Sequence, residues 1–267
     1  KNDEVRFITR NIQIDDNRIW TTHDVWFEFG PHHGRGRDLF INLTTVDSAV
    51  TTGDDATGST LARIDSLELV EVDEISLQLQ HNLFDRQLST EKATESDKPV
   101  SAKITCDGEF RLDFAESKLS IADNISVTLS DENGTLNDQL KCEQLSFEFG
   151  QLPAANTDGD NDTNSEWMTS LSVLSATARG NPIVLDAPSS DLSIRTSKLE
   201  FDLTQGRITV DDSEQSVFKY GSHQFNVPYL RYDLPPEQGK LGTFEAKGAG
   251  EYVGVLEDGT DERIRAS

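Results

Sequence analysis

The densest group of chemically capable side chains lies in residues 24–43, which read DVWFEFGPHHGRGRDLFINL. His32 and His33 are adjacent, Arg35 and Arg37 follow, and glycines separate them. Consecutive histidines on a strand point to opposite faces and no third ligand is apparent nearby, so zinc is disfavoured. The G-R-G at residues 34–36 lacks the third glycine of a dinucleotide fingerprint, because Leu39 takes that position, and no helix follows. A phosphate cradle is therefore disfavoured as well.

The acidic run DGDNDTNSE offers a second set of candidate ligands, since Asp158, Asp160 and Asp162 have the 1, 3, 5 spacing of an EF-hand. An EF-hand loop also needs Gly at position 6 and a bidentate Glu at position 12. Thr163 and Thr169 stand there instead. We interpret the run as an acidic loop and expect no metal.

Nucleophilic catalysis has no clear signature in the chain. There is no G-x-S-x-G, and the five histidines, at 23, 32, 33, 81 and 223, have no obvious Ser or Cys partner. Trp26 and Glu28 share a strand face, which leaves open a carbohydrate-active enzyme with an aromatic platform beside carboxylates. We expect a non-enzymatic protein with no cofactor.

Composition excludes some partners. Forty-eight acidic and 24 basic residues give a net charge of −24, which repels DNA and RNA. No stretch reaches the roughly 18 apolar residues that cross a bilayer, and no basic region followed by an apolar one opens the chain. We expect a soluble chain from which any signal or anchor segment is absent.

The two cysteines, Cys106 and Cys142, each lie in an apparent strand. If those strands are neighbours, a disulfide is allowed, which would indicate an oxidising compartment such as the periplasm. Two reduced, buried thiols are the alternative, and the sequence leaves both open.

Alternation of apolar and polar residues predicts the architecture. Residues 19–29 and 118–129 each place apolar side chains on one face and polar side chains on the other. The second segment is either one half-buried antiparallel strand or two strands with a bend at Asp123–Asn124. Similar alternation recurs near residues 67–79, 145–149, 199–203 and 244–246, and no segment has a period of 3.6. The pattern predicts an all-β, antiparallel fold with essentially no helix.

One supersecondary pattern occurs three times, from Arg18, from Lys118 and from Arg207. Each copy has a basic residue, an alternating strand, an Asp-containing corner, a second strand, a polar tip and a closing strand. The tips GPHHGRGR, SDENGT and KYGSH are chemically unrelated, which argues against a shared catalytic or metal site. We interpret GPHHGRGR as a hairpin corner whose glycines supply positive φ values and whose proline supplies a fixed φ.

Polar, acidic stretches divide the chain into expected units. Residues 1–150 form repeated β units with a polar insertion near 44–60, and residues 151–166 form an acidic loop or linker. Residues 167–254 form a further β unit that continues the same stack, and 255–267 form a C-terminal tail.

The repeat SIADNISVTLSDENGTLNDQLKCEQLSFEF, residues 120–149, resembles the OstA-like domain of the LptA/LptC family of periplasmic lipopolysaccharide-transport proteins. Residues 178–210 and 230–252 are similar to the family's recurrent strand–turn–strand succession. Residues 6–43 are similar to the opening of its LptC-type members.

The resemblance implies a β-jelly roll or β-taco whose sheets enclose an apolar groove for acyl chains, in the periplasm or cell envelope. It implies as partners an acyl lipid or lipopolysaccharide-like glycolipid, and other OstA-like envelope proteins that pair through edge strands. The residues expected to line the groove are Ile19, Val25, Phe27, Phe29, Leu119, Ile121, Ile125, Val127, Leu145, Phe147, Leu199 and Phe201. A structural or adhesion β-sandwich with a closed core has the same alternation and remains the alternative.

Overall fold

The computed structural model describes residues 5–45, 62–79, 100–131, 137–150, 173–234, 242–255 and 261–266. In these residues the chain forms sixteen β-strands and one 3-10 turn, at Pro188–Ser190, and no α-helix. The predicted all-β antiparallel class is confirmed. The described part contains no helix that is long and apolar enough to span a membrane.

The strands, numbered along the chain, differ greatly in length, from two residues to eighteen. They are β1 (Val5–Ile8), β2 (Gln13–Ile14), β3 (Arg18–Phe29), β4 (His32–Thr45), β5 (Ala62–Leu79), β6 (Val100–Thr105), β7 (Phe110–Asp113), β8 (Lys118–Ser130), β9 (Asp138–Phe149), β10 (Val173–Ala187), β11 (Leu192–Asp202), β12 (Arg207–Tyr220), β13 (His223–Asp233), β14 (Thr243–Lys247), β15 (Gly250–Val255) and β16 (Asp261–Ala266).

The described strands form one sheet in which almost every strand pairs with its neighbours in sequence. β9 pairs with β10, so the sheet continues without a break from the part before residue 150 into the part after residue 173. β16 pairs with β15 along six residues, so residues 261–266 of the predicted C-terminal tail form a strand. The three predicted repeats start at the first residues of β3, β8 and β12, and each is a hairpin of two long strands.

A line of irregularities, which we call the crease, crosses the sheet perpendicular to the strands. Pairing shifts in register between Thr21 and Asp24 of β3, between Ala122 and Ile125 of β8, and between Asp211 and Ser216 of β12. Bulges of this kind bend a strand and increase its twist. Of the two interpretations of residues 118–129, the structure has one strand, β8, which bends at Asp123–Asn124, where both residues have positive φ, 62° and 47°.

Shorter strands break where the longer ones bend. β7 pairs with residues 66–69 of β5 and β6 with residues 75–79, so the gap between β6 and β7 falls on the crease. β14 and β15 divide β13 in the same way. The crease therefore separates two halves of the sheet. Half A contains β2, β7, β14 and the parts of the long strands paired with them in register, and half B contains β1, β6, β15 and the remaining parts.

Polar groups at the crease bond to one another and to backbone groups there. The Asp107 backbone N–H donates to the Asp123 carbonyl at 2.9 Å, and the Asn124 side-chain amide donates to Asp107 Oδ2 at 2.8 Å. Thr196 and Ser216, both buried, share a hydroxyl hydrogen bond of 2.8 Å. Such partners offset the cost of burying polar groups, which is why Asp, Asn, Ser and Thr recur at the corners.

The two halves fold toward each other and enclose the core. Phe218 and Phe225 belong to half B, and both contact Phe244 of half A, with ring centroids 5.9 and 4.8 Å apart. Buried residues on the long strands lie on the same face on both sides of the crease, as Leu119 and Ile121 do with Ile125 and Val127. The structure is thus one creased antiparallel sheet around an apolar interior.

The interpretation of GPHHGRGR as a hairpin corner is correct for two residues and wrong for six. The turn is Gly30–Pro31, with Gly30 at φ 55°, and β4 already begins at His32. Gly34 and Gly36 are buried and do not have positive φ. A Cβ at Gly34 would lie 2.5 Å from Phe27 Cζ, and one at Gly36 would lie 2.5 Å from Leu69 Cδ2. These glycines make room for large neighbours.

Candidate functional site

An apolar cavity of about 50 Å³ lies between the two halves of the sheet, across β8 to β11. We call the space between the halves the trough. Half B contributes the first residues of β9 and the last of β8, and half A contributes the opposite parts of β9, β10 and β11. The lining residues are Val127, Leu129, Asp138, Gln139, Leu140, Leu145, Phe147, Ala176, Ala178, Phe201 and Leu203.

Two polar residues, Asp138 and Gln139, contribute atoms to the wall of this apolar cavity. Asp138 is fully buried at the start of β9. Its carboxylate accepts a hydrogen bond from the Ser189 backbone N–H at 3.1 Å and another from the Ser189 hydroxyl at 2.5 Å. Asp138 thus ties the start of β9 to the 3-10 turn Pro188–Ser190 beside the cavity.

The free edge of half A, which we call the rim, carries a row of apolar residues. At or near five strand ends, an apolar residue has its backbone N–H bonded to a carbonyl of a neighbouring strand or turn, over 2.8 to 2.9 Å. These residues are Leu43, Phe114, Phe149, Leu203 and Leu234. All except Phe149 are partly exposed. The rim thus presents apolar side chains to solvent along the mouth of the trough.

The C-terminal end of the trough is closed by aromatic rings. Tyr232 and Phe244 stack with centroids 4.3 Å apart, and Phe225 lies 4.8 Å from both Phe244 and Tyr252. His223 Nδ1 shares a hydrogen bond of 2.8 Å with the Tyr252 hydroxyl. Aromatic contacts in these geometries add to the stabilisation from burial alone.

The structure brings four of the predicted groove residues together around the cavity: Val127, Leu145, Phe147 and Phe201. Six others, Val25, Phe27, Leu119, Ile121, Ile125 and Leu199, are buried in the core without lining it. Ile19 is partly buried, and the side chain of Phe29 lies outside the described part. Alternation identifies inward-facing positions, and it does not distinguish residues that line the cavity from residues buried elsewhere in the core.

Sequence reasoning missed the alanines of the cavity, Ala176 and Ala178, together with Leu129, Leu140, Leu203, Asp138 and Gln139. The small size of Ala176, which pairs in register with Phe147 and Phe201, leaves part of the cavity open. The feature that marks the cavity is a small residue between two bulky residues on the neighbouring strands. It is visible only once the strand pairing is known, and the sequence alone does not give that pairing.

The expectation that Cys106 and Cys142 could form a disulfide is not met, because both thiols are free and buried. Cys106 directly follows β6 and Cys142 lies on β9, and β8 separates these two strands. Two strand spacings are about 9.5 Å, which exceeds the Cα separation that a disulfide spans. Burial raises the pKa of Cys106 to about 11 and that of Cys142 to about 12.

The histidine pair is divided between the two faces of β4, as predicted. His32 is buried and its Nδ1 accepts a hydrogen bond of 3.1 Å from the Gln78 backbone N–H, whereas His33 is exposed. Among the described residues, no group of three or more His, Cys, Asp or Glu side chains is placed to hold a metal ion. The Asp158–Asp162 run and the loop at 151–166 lie outside the described residues.

The class that fold and site define is an all-β protein with one creased antiparallel sheet around an apolar trough. No family model and no curated protein matches the sequence. Among solved structures, the chain is similar to LptH of Pseudomonas aeruginosa, the LptA-homologous periplasmic component of its lipopolysaccharide transport device. The sequences are 12% identical, the TM-score is 0.35, and the match covers 61% of this chain and 93% of that one.

Proposed function

We propose that this protein is a non-enzymatic envelope protein that holds an acyl chain in the trough between the two halves of its sheet. The observation that carries the proposal is the apolar cavity between Val127 and Leu140 of half B and Phe147 and Phe201 of half A. Each methylene transferred there from water contributes about 0.8 kcal/mol without any base or metal.

Occupation of the trough requires movement of the two halves. The cavity measures about 50 Å³, whereas sites for small molecules usually measure roughly 300 to 1,000 Å³. A chain would enter at the rim, where Phe147 and Leu203 are partly exposed beside the cavity. The crease is the natural hinge, since its bulges interrupt the regular pairing of the long strands.

The proposal extends to compartment and partners. The motifs that resemble OstA-like domains support a periplasmic or cell-envelope location and a lipopolysaccharide-like or other acyl ligand. β1 and β16 are the terminal strands of the described sheet. Ile8, Ile12 and Ile14 are exposed at one end and Ile264 at the other. Exposed apolar edges favour pairing with a further strand, so we propose edge-to-edge assembly with another envelope β-protein.

The second candidate is a structural or adhesion protein with a closed core, and the small volume of the cavity favours it. A core at native packing density leaves few voids larger than a water molecule. This candidate predicts that no lipid accompanies the purified protein.

The test is organic extraction of the purified protein followed by lipid mass spectrometry, together with titration by a fluorescently labelled long-chain alcohol. Reproducible co-purified acyl lipid and saturable probe binding are expected. Ala176→Val, which narrows the cavity, should weaken probe binding, and Thr177→Val on the opposite face should not. Absence of both lipid and probe binding would leave the closed-core candidate.

A further inference from the structure

A second and larger hollow lies on the face of the sheet opposite the trough. It measures about 480 Å³, which is within the roughly 300 to 1,000 Å³ usual for small-molecule sites. It lies on the outer face of half A, across β8 to β11, and we call it the outer hollow. Most of its lining residues are polar or charged, in contrast to those of the trough.

The floor of the outer hollow is a row of small hydroxyl side chains. Ser120 pairs in register with Ser146, and Ser146 pairs with Thr177. The same row continues with longer side chains, Arg111 on one side and Glu200 on the other. Neighbouring strands are about 4.8 Å apart, so three hydroxyl groups follow one another across the floor between taller walls.

Most polar side chains of the outer hollow have no protein partner, unlike their neighbours. Beyond the floor, Arg111 Nη1 lies 3.7 Å from Glu68 Oε2. The three floor hydroxyls and the side chains of Glu109, Lys118 and Arg179 form no hydrogen bond or ion pair with another described residue. Their donors and acceptors are therefore available to a ligand.

We propose that the outer hollow binds a neutral oligosaccharide. A hydroxyl group both donates and accepts hydrogen bonds, so a sugar can bond to hydroxyl, carboxylate, ammonium and guanidinium groups alike. An ion would find a like charge here, because Lys118 and Arg179 line the hollow together with Glu109, Glu148 and Glu200. Among the described residues, no aromatic side chain lines the hollow to stack on a sugar, so we expect weak, millimolar affinity.

This site is independent of the proposed acyl-binding function. Ala176 lines the trough and the next residue, Thr177, lines the outer hollow, so β10 contributes to both from opposite faces. The continuous pairing of β8 to β11 separates the two spaces. A lipid held in the trough could not place its head group in the outer hollow, and the sugar therefore belongs to a separate glycan.

The experiment uses saturation-transfer difference NMR with the full chain to measure the Kd of three neutral trisaccharides: maltotriose, cellotriose and triacetylchitotriose. The charged trisaccharides are chitotriose, a cation, and trigalacturonate, an anion. At least one neutral trisaccharide should bind saturably and more tightly than both charged ones. Thr177→Val removes one floor hydroxyl and should raise the Kd about threefold or more. Ser146→Gln fills the floor and should raise it about tenfold or more.

Thr128→Val and Thr128→Gln are the matched controls. Thr128 lies on the outer face of β8 in half B, pairs in register with Gln139, and lines neither space. Both controls should leave the sugar Kd within about a factor of two. Ala176→Val should also leave it unchanged while weakening binding of the alcohol probe.

The outcomes separate this proposal from the acyl-binding function. If no neutral trisaccharide binds at its highest soluble concentration, or if either charged trisaccharide binds more tightly, the outer hollow is not a site for neutral sugar. Equal effects of Ser146→Gln and Thr128→Gln would refute the location, and so would weaker sugar binding by Ala176→Val. Each of these results leaves the alcohol-probe titration, and with it the acyl-binding function, to be decided separately.

Discussion

Substitution of Ala176 by Val tests the cavity through protein stability alone. Ala176 faces the interior between Phe147 and Phe201, and all three residues line the cavity of about 50 Å³. A residual void costs roughly 24 cal/mol per Å³, so filling this one would recover about 1.2 kcal/mol. Two added carbons at about 0.8 kcal/mol each give a similar upper value, about 1.6 kcal/mol.

We therefore expect Ala176→Val to raise the free energy of unfolding by about 1 kcal/mol, measured by urea denaturation with the m-value unchanged. Thr177→Val adds a valine at the next position on the outer face and should change it by no more than about 0.5 kcal/mol. A destabilisation of about 1 kcal/mol or more by Ala176→Val would mean that the site is already packed. That result would refute the cavity and the argument for chain binding.

Three further predictions concern other parts of the fold. Gly36→Ala should lower the free energy of unfolding by about 1–3 kcal/mol, since its Cβ would collide with the Glu71 backbone carbonyl and with Leu69. Arg35→Ala on the exposed face should have little effect, and equal effects in urea denaturation would contradict the packing role of Gly36. Burial raises the pKa values of Cys106 and Cys142, so neither thiol should react with an aromatic disulfide reagent at pH 8 while the protein is folded. Both thiols should react once the protein is unfolded, and fast labelling of the native protein would contradict their burial. The Arg263 and Arg265 hydrogen bonds lower the pKa of Glu251 from 4.5 to about 2, so their stabilisation of β16 is complete above pH 4.5 and is lost as the pH falls toward 2. Hydrogen-exchange protection of Asp261–Ala266 should therefore fall over that pH range, and Glu251→Gln should abolish this pH dependence of the protection.

Local patterns predicted most of the strands and one of the bends. Alternation in residues 118–129 identified β8, and the Asp-Asn pair indicated its bulge. Asp and Asn tolerate positive φ, so a bend at these residues can be predicted from the local sequence. HHGRGR was misjudged because glycine is typical of turns, yet here it is the small inward-facing residue opposite Phe27 and Leu69. The size of the neighbour across the sheet decides between these uses of glycine, and that neighbour is distant in sequence.

The trough could be predicted only in part, because it depends on pairing between distant segments. Val127 and Leu145 were recognised as inward-facing, but that they meet Ala176 and Phe201 follows from the register of β9 with β10 and of β10 with β11. The separation of Cys106 from Cys142 by β8 is likewise a consequence of strand order. Alternation identifies the buried face of each strand and does not determine which strands are adjacent.

The most direct test of an acyl-binding trough is photo-cross-linking with a long-chain alcohol that carries a diazirine near the end of its chain. Peptide mapping by mass spectrometry then identifies the labelled residues. The account predicts adducts on the inward-facing positions of β8 to β11, namely Val127, Leu140, Phe147 and Phe201, with competition by unlabelled dodecanol and a loss of labelling in Ala176→Val. Adducts confined to outward-facing positions such as Thr177, or labelling that unlabelled alcohol does not reduce, would contradict it.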